Sequence, residues 1–266
     1  MKCCSSTPAD RNSIYWLEQS LSDVPVEDAW LTSAELVTLS HLRFPKRRED
    51  WRLGRWTAKS CIAAYLKMSR VARELSCIEI RAADSGAPFA VLLDTNATFA
   101  ISLTHRSGKA MCAVAPANVD IGCDLELIEE RSAAFLSDYF TPDEQTLVEH
   151  TATDRKPLVL NLLWSAKESA LKALHTGLRA DTRSLTVCPS PETKNRWSNS
   201  HPIRLLETAP STYGSNVPTW QPLQVTLGDH RVLHGWWMVS DPFVRTVVSK
   251  GDARFPEKDE SPNSNH

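Results

Sequence analysis

The sequence predicts an α+β protein built as a pseudo-twofold pair of similar lobes, each a small, mostly antiparallel sheet packed against helices. Two observations carry that expectation. The order helix-then-strands occurs twice, once in each half of the chain, although no exact repeat is visible. The strands are short, alternate in polarity and are joined by tight turns, which suits antiparallel pairing rather than long crossovers. The 266 residues suit one large domain or two small ones, with ample chain for a buried core. The boundaries expected are 1–115 for the first lobe, 116–249 for the second and 250–266 for a disordered tail.

In chain order, residues 13–21 read as a strand, and Trp30-Leu31 could close a second one. Thr32-Ser33-Ala34-Glu35 is a capping-box pattern that opens a helix. Beyond Arg47, Trp51, Ala58, Ile62, Tyr65 and Leu66 fall at helical spacings, and Arg48, Arg52, Arg55 and Lys59 form a basic stripe on the same helix. Such a stripe is either a solvated face or a phosphate clamp, since guanidinium forks match phosphate oxygens. Strands follow at 78–81 and 89–93, separated by the turn Ser85-Gly86-Ala87-Pro88. Residues 100–105 alternate toward a polar end at His105, 110–115 form an apolar strand, and 118–127 close the meander.

Within that last strand lies Ile121-Gly122-Cys123-Asp124-Leu125-Glu126-Leu127. A two-residue period sends Ile121, Cys123, Leu125 and Leu127 to one face and Asp124 with Glu126 to the other. Two carboxylates so close need a cation, a proton or solvent between them. Taken alone they fit a wet acidic edge as well as a site for a hard divalent ion.

Phe140-Thr141-Pro142-Asp143-Glu144 opens another helix, with Thr141 as cap, Pro142 at the first helical position and Glu144 at the third. A second helix over 159–174 carries Trp164, Glu168 and Lys172 at successive four-residue steps, hence on one side. Residues 189–222, rich in Pro, Ser, Thr and Asn, read as a long loop around a weak strand at 203–206. Strands at 224–227, 232–239 and 244–248 end the fold, with Trp236-Trp237 expected in the core.

Composition bounds the function. Hydrophobic residues make up 42% and charged residues 23%, and the formal charge is -2, so no global bias points to nucleic acid or to a membrane surface. No run approaches the roughly 18 apolar residues of a spanning helix. The opening residues lack the apolar run of a signal peptide. Seven cysteines contain no CxxC pair, and the simplest compartment for them is a reducing cytoplasm.

Three stretches, in order, resemble the signatures of the 4′-phosphopantetheinyl transferases. Ile121-Gly122-Cys123-Asp124-Leu125-Glu126 is similar to their G-x-D-x-E strand, and Phe140-Thr141-Pro142-Asp143-Glu144 to their F-x-x-x-E helix start. Trp164-Ser165-Ala166-Lys167-Glu168-Ser169-Ala170-Leu171-Lys172 is similar to their W-x-x-K-E-x-x-x-K helix. The length, the upstream Gly54-Arg55, Gly86-Ala87-Pro88 and the strand ending at His105 resemble the two-lobed, Sfp-type class. Thr104 stands where the family usually carries Ser before that histidine. The resemblance spans roughly residues 40 to 180.

The resemblance implies an enzyme that moves the 4′-phosphopantetheine arm of coenzyme A onto a serine hydroxyl of an apo acyl or peptidyl carrier protein, releasing 3′,5′-ADP. The same fold without turnover would be a module that only binds coenzyme A or a carrier. Asp124, Glu126 and Glu168 are the implied ligands of Mg²⁺, for which Mn²⁺ is a possible substitute. Glu168 is also the candidate general base toward the serine, and Lys172 the group that neutralises the pyrophosphate. Lys167 is expected to face the phosphates, and Glu144 to be an outer ligand or positioning carboxylate. Arg48, Arg55, Ser102, Thr104 and His105 are the candidates for the 3′-phosphate of the nucleotide, in the first lobe. Arg47, Arg52 and Lys59 could meet phosphate, solvent or an acidic carrier. No nucleic acid or membrane partner is expected, and two fused lobes would let a monomer suffice.

Overall fold

The computed structural model describes residues 13–189 and 219–251, and the backbone of 254–258. It is α+β, with helices laid on small, mostly antiparallel sheets. The chain divides into two compact units, one running to Ile121 and resumed from Gly251, the other from Gly122 to Lys250. The division falls six residues beyond the expected 115, and the end of the chain returns to the first unit.

The first unit opens with β1 (Ser13–Ser20), α1 (Ser33–His41), α2 (Pro45–Tyr65) and α3 (Ala72–Leu75). Strands β2 (Ile78–Ala82), β3 (Pro88–Leu92) and β4 (Thr95–Asn96) make one small sheet. Strand β5 (Phe99–Arg106) pairs with β6 (Lys109–Pro116), and β6 with β1, in a second. Helix α2 begins with Pro45 at its first turn, where the missing N–H costs nothing. Its apolar face, Leu53, Ala58, Cys61 and Ile62, is fully covered, and the helix packs on β1 and β6. Gly54 lets it lie close to β5, since a Cβ there would sit 3.4 Å from the Leu103 side chain. Trp30 and Leu31 are buried as expected of apolar residues, but they lie in turns rather than in a strand. They anchor the entry to α1.

The second unit contains β7 (Asp120–Leu127), which begins at the boundary, then α4 (Ala133–Tyr139), α5 (Pro142–His150) and α6 (Lys156–Ala173). Strands β8 (Leu185–Cys188), β9 (Gln221–Leu227), β10 (Val232–Ser240) and β11 (Phe243–Lys250) complete a sheet of order β7-β11-β10-β9-β8. Helix α6 lies on β11, burying Leu162, Leu163, Ala166, Ala170 and Leu171 against Val244 and Val248. Trp236 and Trp237 are core residues, as their sequence setting predicts. The predicted strand at 203–206 lies outside the described residues.

The expected disordered tail is corrected at one place. Arg254–Lys258 form β12, running parallel to β1. The polar composition that suggests disorder is compatible with an edge strand, because pairing needs only backbone groups. Among the described residues, no helix is long and apolar enough to cross a membrane.

Candidate active site

The second unit brings four of the predicted site residues together on one strand–helix pair. On β7 the alternation is as read from sequence: Ile121, Cys123 and Leu125 are buried in the core. Gly122 explains how the strand meets the helix. A Cβ at Gly122 would stand 1.8 Å from the Ser169 carbonyl oxygen and 2.8 Å from the Ala173 nitrogen, so only glycine permits β7 and α6 to approach so closely. That approach puts the next acidic residue within reach of the helix. Lys172 Nζ donates to Asp124 Oδ1 at 2.9 Å and to the Cys123 carbonyl at 2.9 Å.

Glu126 is held from two sides. The Trp164 indole N–H donates to Oε1 at 3.1 Å, and Arg131 Nη2 donates to Oε2 at 3.2 Å. Trp164 is itself wedged in an aromatic cluster with Phe135 and Tyr139, at centroid distances of 5.0 and 5.2 Å. The four-residue spacing of Trp164, Glu168 and Lys172 thus does what the sequence suggests, placing all three on the face toward β7.

Burial pushes the Glu168 carboxyl above the ordinary range; the charge of Asp124 and that of Glu126 push the same way, and Lys172 opposes them. Burial disfavours the Lys172 ammonium, but Asp124, then Cys123 and Glu168, outweigh it and hold its pKa above the usual value. The result is one carboxylate already paired with an ammonium, one with a guanidinium, and a third whose charge burial, and after it the first two, make costly.

Two expectations on this side are corrected. Lys167 does not face the phosphates: its side chain is fully buried and paired with Glu144 at 2.7 Å. Its Nζ also donates to the carbonyls of Tyr139, Thr182 and Leu185 at 3.1, 2.8 and 2.9 Å. Helical geometry is the reason, since adjacent residues diverge by about 100° around the axis. Glu144 is likewise no outer ligand. It closes the capping box with Thr141 and accepts the Val187 N–H at 2.8 Å, with no exposed surface. Burial pushes the Glu144 carboxyl up and the Lys167 ammonium down, each opposed by the other.

The first unit holds a separate feature, a cavity of about 650 Å³. Lys46, Arg47, Trp51, Arg55, Arg81 and His105 line it, and Asp50 is the acidic residue among its walls. Arg55 lies over the Trp51 ring at 4.7 Å and 3.9 Å from Glu35. Burial lowers the Arg55 pKa and Glu35 raises it, the former prevailing. Gly86, at a φ of +88°, makes the turn on one rim, which an L side chain would strain.

Three predicted residues are not on these walls. Ser102 and Thr104 alternate with Leu103 and His105, so they point to the other face of β5 and are buried there. Arg48 is turned back to cap α1, donating to the carbonyls of Leu39 and Leu42 at 2.7 and 3.3 Å. Its neighbour Arg47 lines the cavity instead. Arg52 pairs with Asp28 at 2.8 Å, and Lys59 is buried against Glu35 and the Trp30 carbonyl. Sequence reasoning missed Lys46, Arg81 and Arg131. Arg81 is a lone basic residue on a short strand, paired here with Glu79 at 2.8 Å, and nothing local marks it. Arg131 follows Glu126 in an acidic run, which is the signal that could have singled it out.

Among the described residues, no set of three ligating side chains closes around one point. Oxygen donors from Asp124, Glu126 and Glu168 nevertheless suit a hard ion. Such a donor set fits an ion that keeps water or phosphate as further ligands, not one caged by protein alone.

The molecule is thus an α+β protein whose second unit gathers carboxylates and cations on β7 and α6. Residues 120–217 match the family described as the 4′-phosphopantetheinyl transferase superfamily. The resemblance carried by the three motifs is borne out at that level; the match does not extend to the two-lobed sub-class.

Among solved structures, a holo-(acyl-carrier-protein) synthase from Bacillus anthracis str. Ames in complex with CoA (3′,5′-ADP) is 21% identical, over 39% of this chain and 94% of its own, with a TM-score of 0.32. A Helicobacter pylori holo-[acyl-carrier-protein] synthase in complex with coenzyme A is 16% identical, over 39% and 98%, with a TM-score of 0.27. The Thermotoga maritima holo-[acyl-carrier-protein] synthase is 18% identical, over 46% and 78%, with a TM-score of 0.32. No curated protein matches the sequence.

Proposed function

We propose that the protein transfers the 4′-phosphopantetheine arm of coenzyme A to a serine hydroxyl of an apo acyl or peptidyl carrier protein, giving the holo-carrier and 3′,5′-ADP. The observation that carries this reading is the gathering of Asp124, Glu126, Glu168 and Lys172 on β7 and α6, with Lys172 Nζ 2.9 Å from Asp124 Oδ1. Glu168 is the candidate proton acceptor of the group, since a positioned carboxylate can take the proton of an attacking hydroxyl. It stands where two further carboxylates and an ammonium suit a polyanionic phosphate ester and its metal ion.

The roles follow from these contacts. Asp124 and Glu126, joined by Glu168, would hold Mg²⁺ or Mn²⁺. When bound, that ion supplies neutralisation of the charge on the pyrophosphate. Glu168 receives the proton of the attacking serine hydroxyl at a carboxylate oxygen. Lys172 sets its ammonium against the departing phosphate and keeps Asp124 aligned through the 2.9 Å contact. Trp164 and Arg131 fix the Glu126 carboxylate. In the first unit, Arg55 and His105, with Lys46 and Arg47, give the cavity a basic lining suited to a phosphate group. A cytoplasmic monomer acting on acidic carrier proteins completes the reading.

The test is direct. Incubation with Mg²⁺, coenzyme A and an apo-carrier should add the mass of one phosphopantetheine arm to the carrier. No mass gain with any of several acyl and peptidyl carriers would exclude the proposed activity.

A further inference from the structure

Arg131 lies outside the three motifs, yet its guanidinium is the most elaborately held cation near the carboxylates. Nε donates to Asn161 Oδ1 at 2.9 Å, and Nη2 reaches both Glu126 Oε2 at 3.2 Å and Glu129 Oε1 at 3.3 Å. The guanidinium carbon sits 5.1 Å from the Phe135 ring centroid. Asn161 cannot follow it elsewhere, because that residue is fully buried and its Nδ2 donates to the carbonyls of Glu129 and Pro157, each at 2.7 Å. The Arg131 side chain is 19% exposed and that of Glu126 12%, so solvent screens their attraction only in part.

A side chain anchored on three sides does not leave when a second cation arrives. We infer that Arg131 is a positioning residue with a second effect: it aims the Glu126 carboxylate, and it competes as a resident cation with a divalent ion for that carboxylate. The inference rests on the reading of Asp124, Glu126 and Glu168 as the ion's ligands, and deepens it. Two cations that share one carboxylate weaken each other's hold reciprocally. The free protein therefore binds the ion weakly. Phosphate oxygens shift the balance, since they add negative charge and further ligands. In this arrangement the ion is retained chiefly when it arrives with the pyrophosphate.

The test uses Mn²⁺ alone, titrated into the full-length protein without coenzyme A and followed by loss of the free-ion paramagnetic resonance signal. Arg131→Gln removes the charge and keeps a group able to meet Asn161. It should bind Mn²⁺ on the order of tenfold more tightly than the wild type. Arg131→Lys keeps the charge and should stay within about twofold of the wild type, a smaller change than any coupling of that size. A merely structural role moves the result the other way, since a loosened Glu126 weakens ion binding in both variants. Equal or weaker binding by Arg131→Gln, or an equal gain in both variants, overturns the inference. Should the wild type bind too little ion to measure, uptake by Arg131→Gln supports the inference and its absence overturns it.

Asp124→Ala separates the two levels of failure. If it lowers ion binding while the Arg131 variants behave as the wild type, the carboxylate platform stands and only the role of Arg131 falls. If it binds as the wild type does, the platform itself is wrong. Thermal melting of each variant confirms that the comparison is made between folded proteins.

Discussion

The two units carry the same clamp, and only one carries the proposed chemistry. In the first, Thr32 caps α1 and Glu35 closes the box, pairs with Lys59 from α2 and accepts the Ile80 N–H at 3.1 Å; Lys59 also donates to the Trp30 carbonyl at 2.9 Å. In the second, Thr141 caps α5 and Glu144 closes the box, pairs with Lys167 from α6 and accepts the Val187 N–H at 2.8 Å; Lys167 also donates to the Tyr139 carbonyl at 3.1 Å. Even the aromatic beside the lysine recurs, Trp30 at 5.6 Å and Phe140 at 5.2 Å. The clamp ties a short capped helix, a long helix and a strand together in each unit, which is a task of folding.

The residue after the lysine is where the units diverge. Buried Ser60 follows Lys59, whereas Glu168 follows Lys167, and Ala64 stands at the spacing that Lys172 occupies. The comparison teaches that adjacent residues of a single Lys-Glu motif have unrelated duties. The lysine has a counterpart in the other unit and belongs to the scaffold. The glutamate has none and belongs to the proposed site.

The largest expected effect tests the scaffold half of this statement. Lys167→Met and Lys59→Met should each destabilise the protein by about 3–5 kcal/mol, because each leaves a buried carboxylate without its partner. Urea unfolding measures the loss. Coupling energies from cycles with Glu144→Gln and Glu35→Gln should be similar in the two units. A surface-like loss below about 1 kcal/mol at either lysine breaks the equivalence.

A middling effect separates the two helix–sheet contacts. Gly122→Ala drives a Cβ into the Ser169 carbonyl and should cost about 1–3 kcal/mol or more, while parting Asp124 from Lys172. Gly54→Ala meets only a flexible Leu103 methyl at 3.4 Å and should change stability by less than about 1 kcal/mol. Parallel denaturation curves decide whether the strand–helix approach is the tighter one at the proposed site.

The smallest effect concerns pH in the ion-free protein. The Glu168 carboxyl is raised in the folded state, so the folded protein holds that proton more firmly than the unfolded chain. Stability contributed by this group is full below the unfolded pKa near 4.3 and declines as pH rises through the higher folded value. Glu168→Gln should flatten that limb. Ser60→Ala, at the corresponding place in the first unit, should leave it unchanged.

What the sequence made legible was local. Both capping boxes, the basic helix and the face shared by Trp164, Glu168 and Lys172 depend on residues within a few turns, and all are present. Lys167 was misjudged because helical spacing says which residues share a face, not what that face meets. Here it meets Glu144, whose place in a capping box signals nothing about its second partner. Ser102 and Thr104 were chosen by proximity to His105, although alternation sends them to the opposite face. Strand β12 was missed because its pairing with β1 joins the two ends of the described chain, and no window of sequence contains both. Arg131 escaped because its value comes from Asn161, thirty residues on.

The measurement closest to the central claim compares Glu168→Gln with the wild type in transferring phosphopantetheine from coenzyme A to an apo-carrier, read as carrier mass over time with Mg²⁺ present. The wild type should convert the carrier. Glu168→Gln should do so at least about a hundredfold more slowly, the scale of a lost general base, while melting within a few degrees of the wild type. Transfer by Glu168→Gln at the wild-type rate would contradict the account.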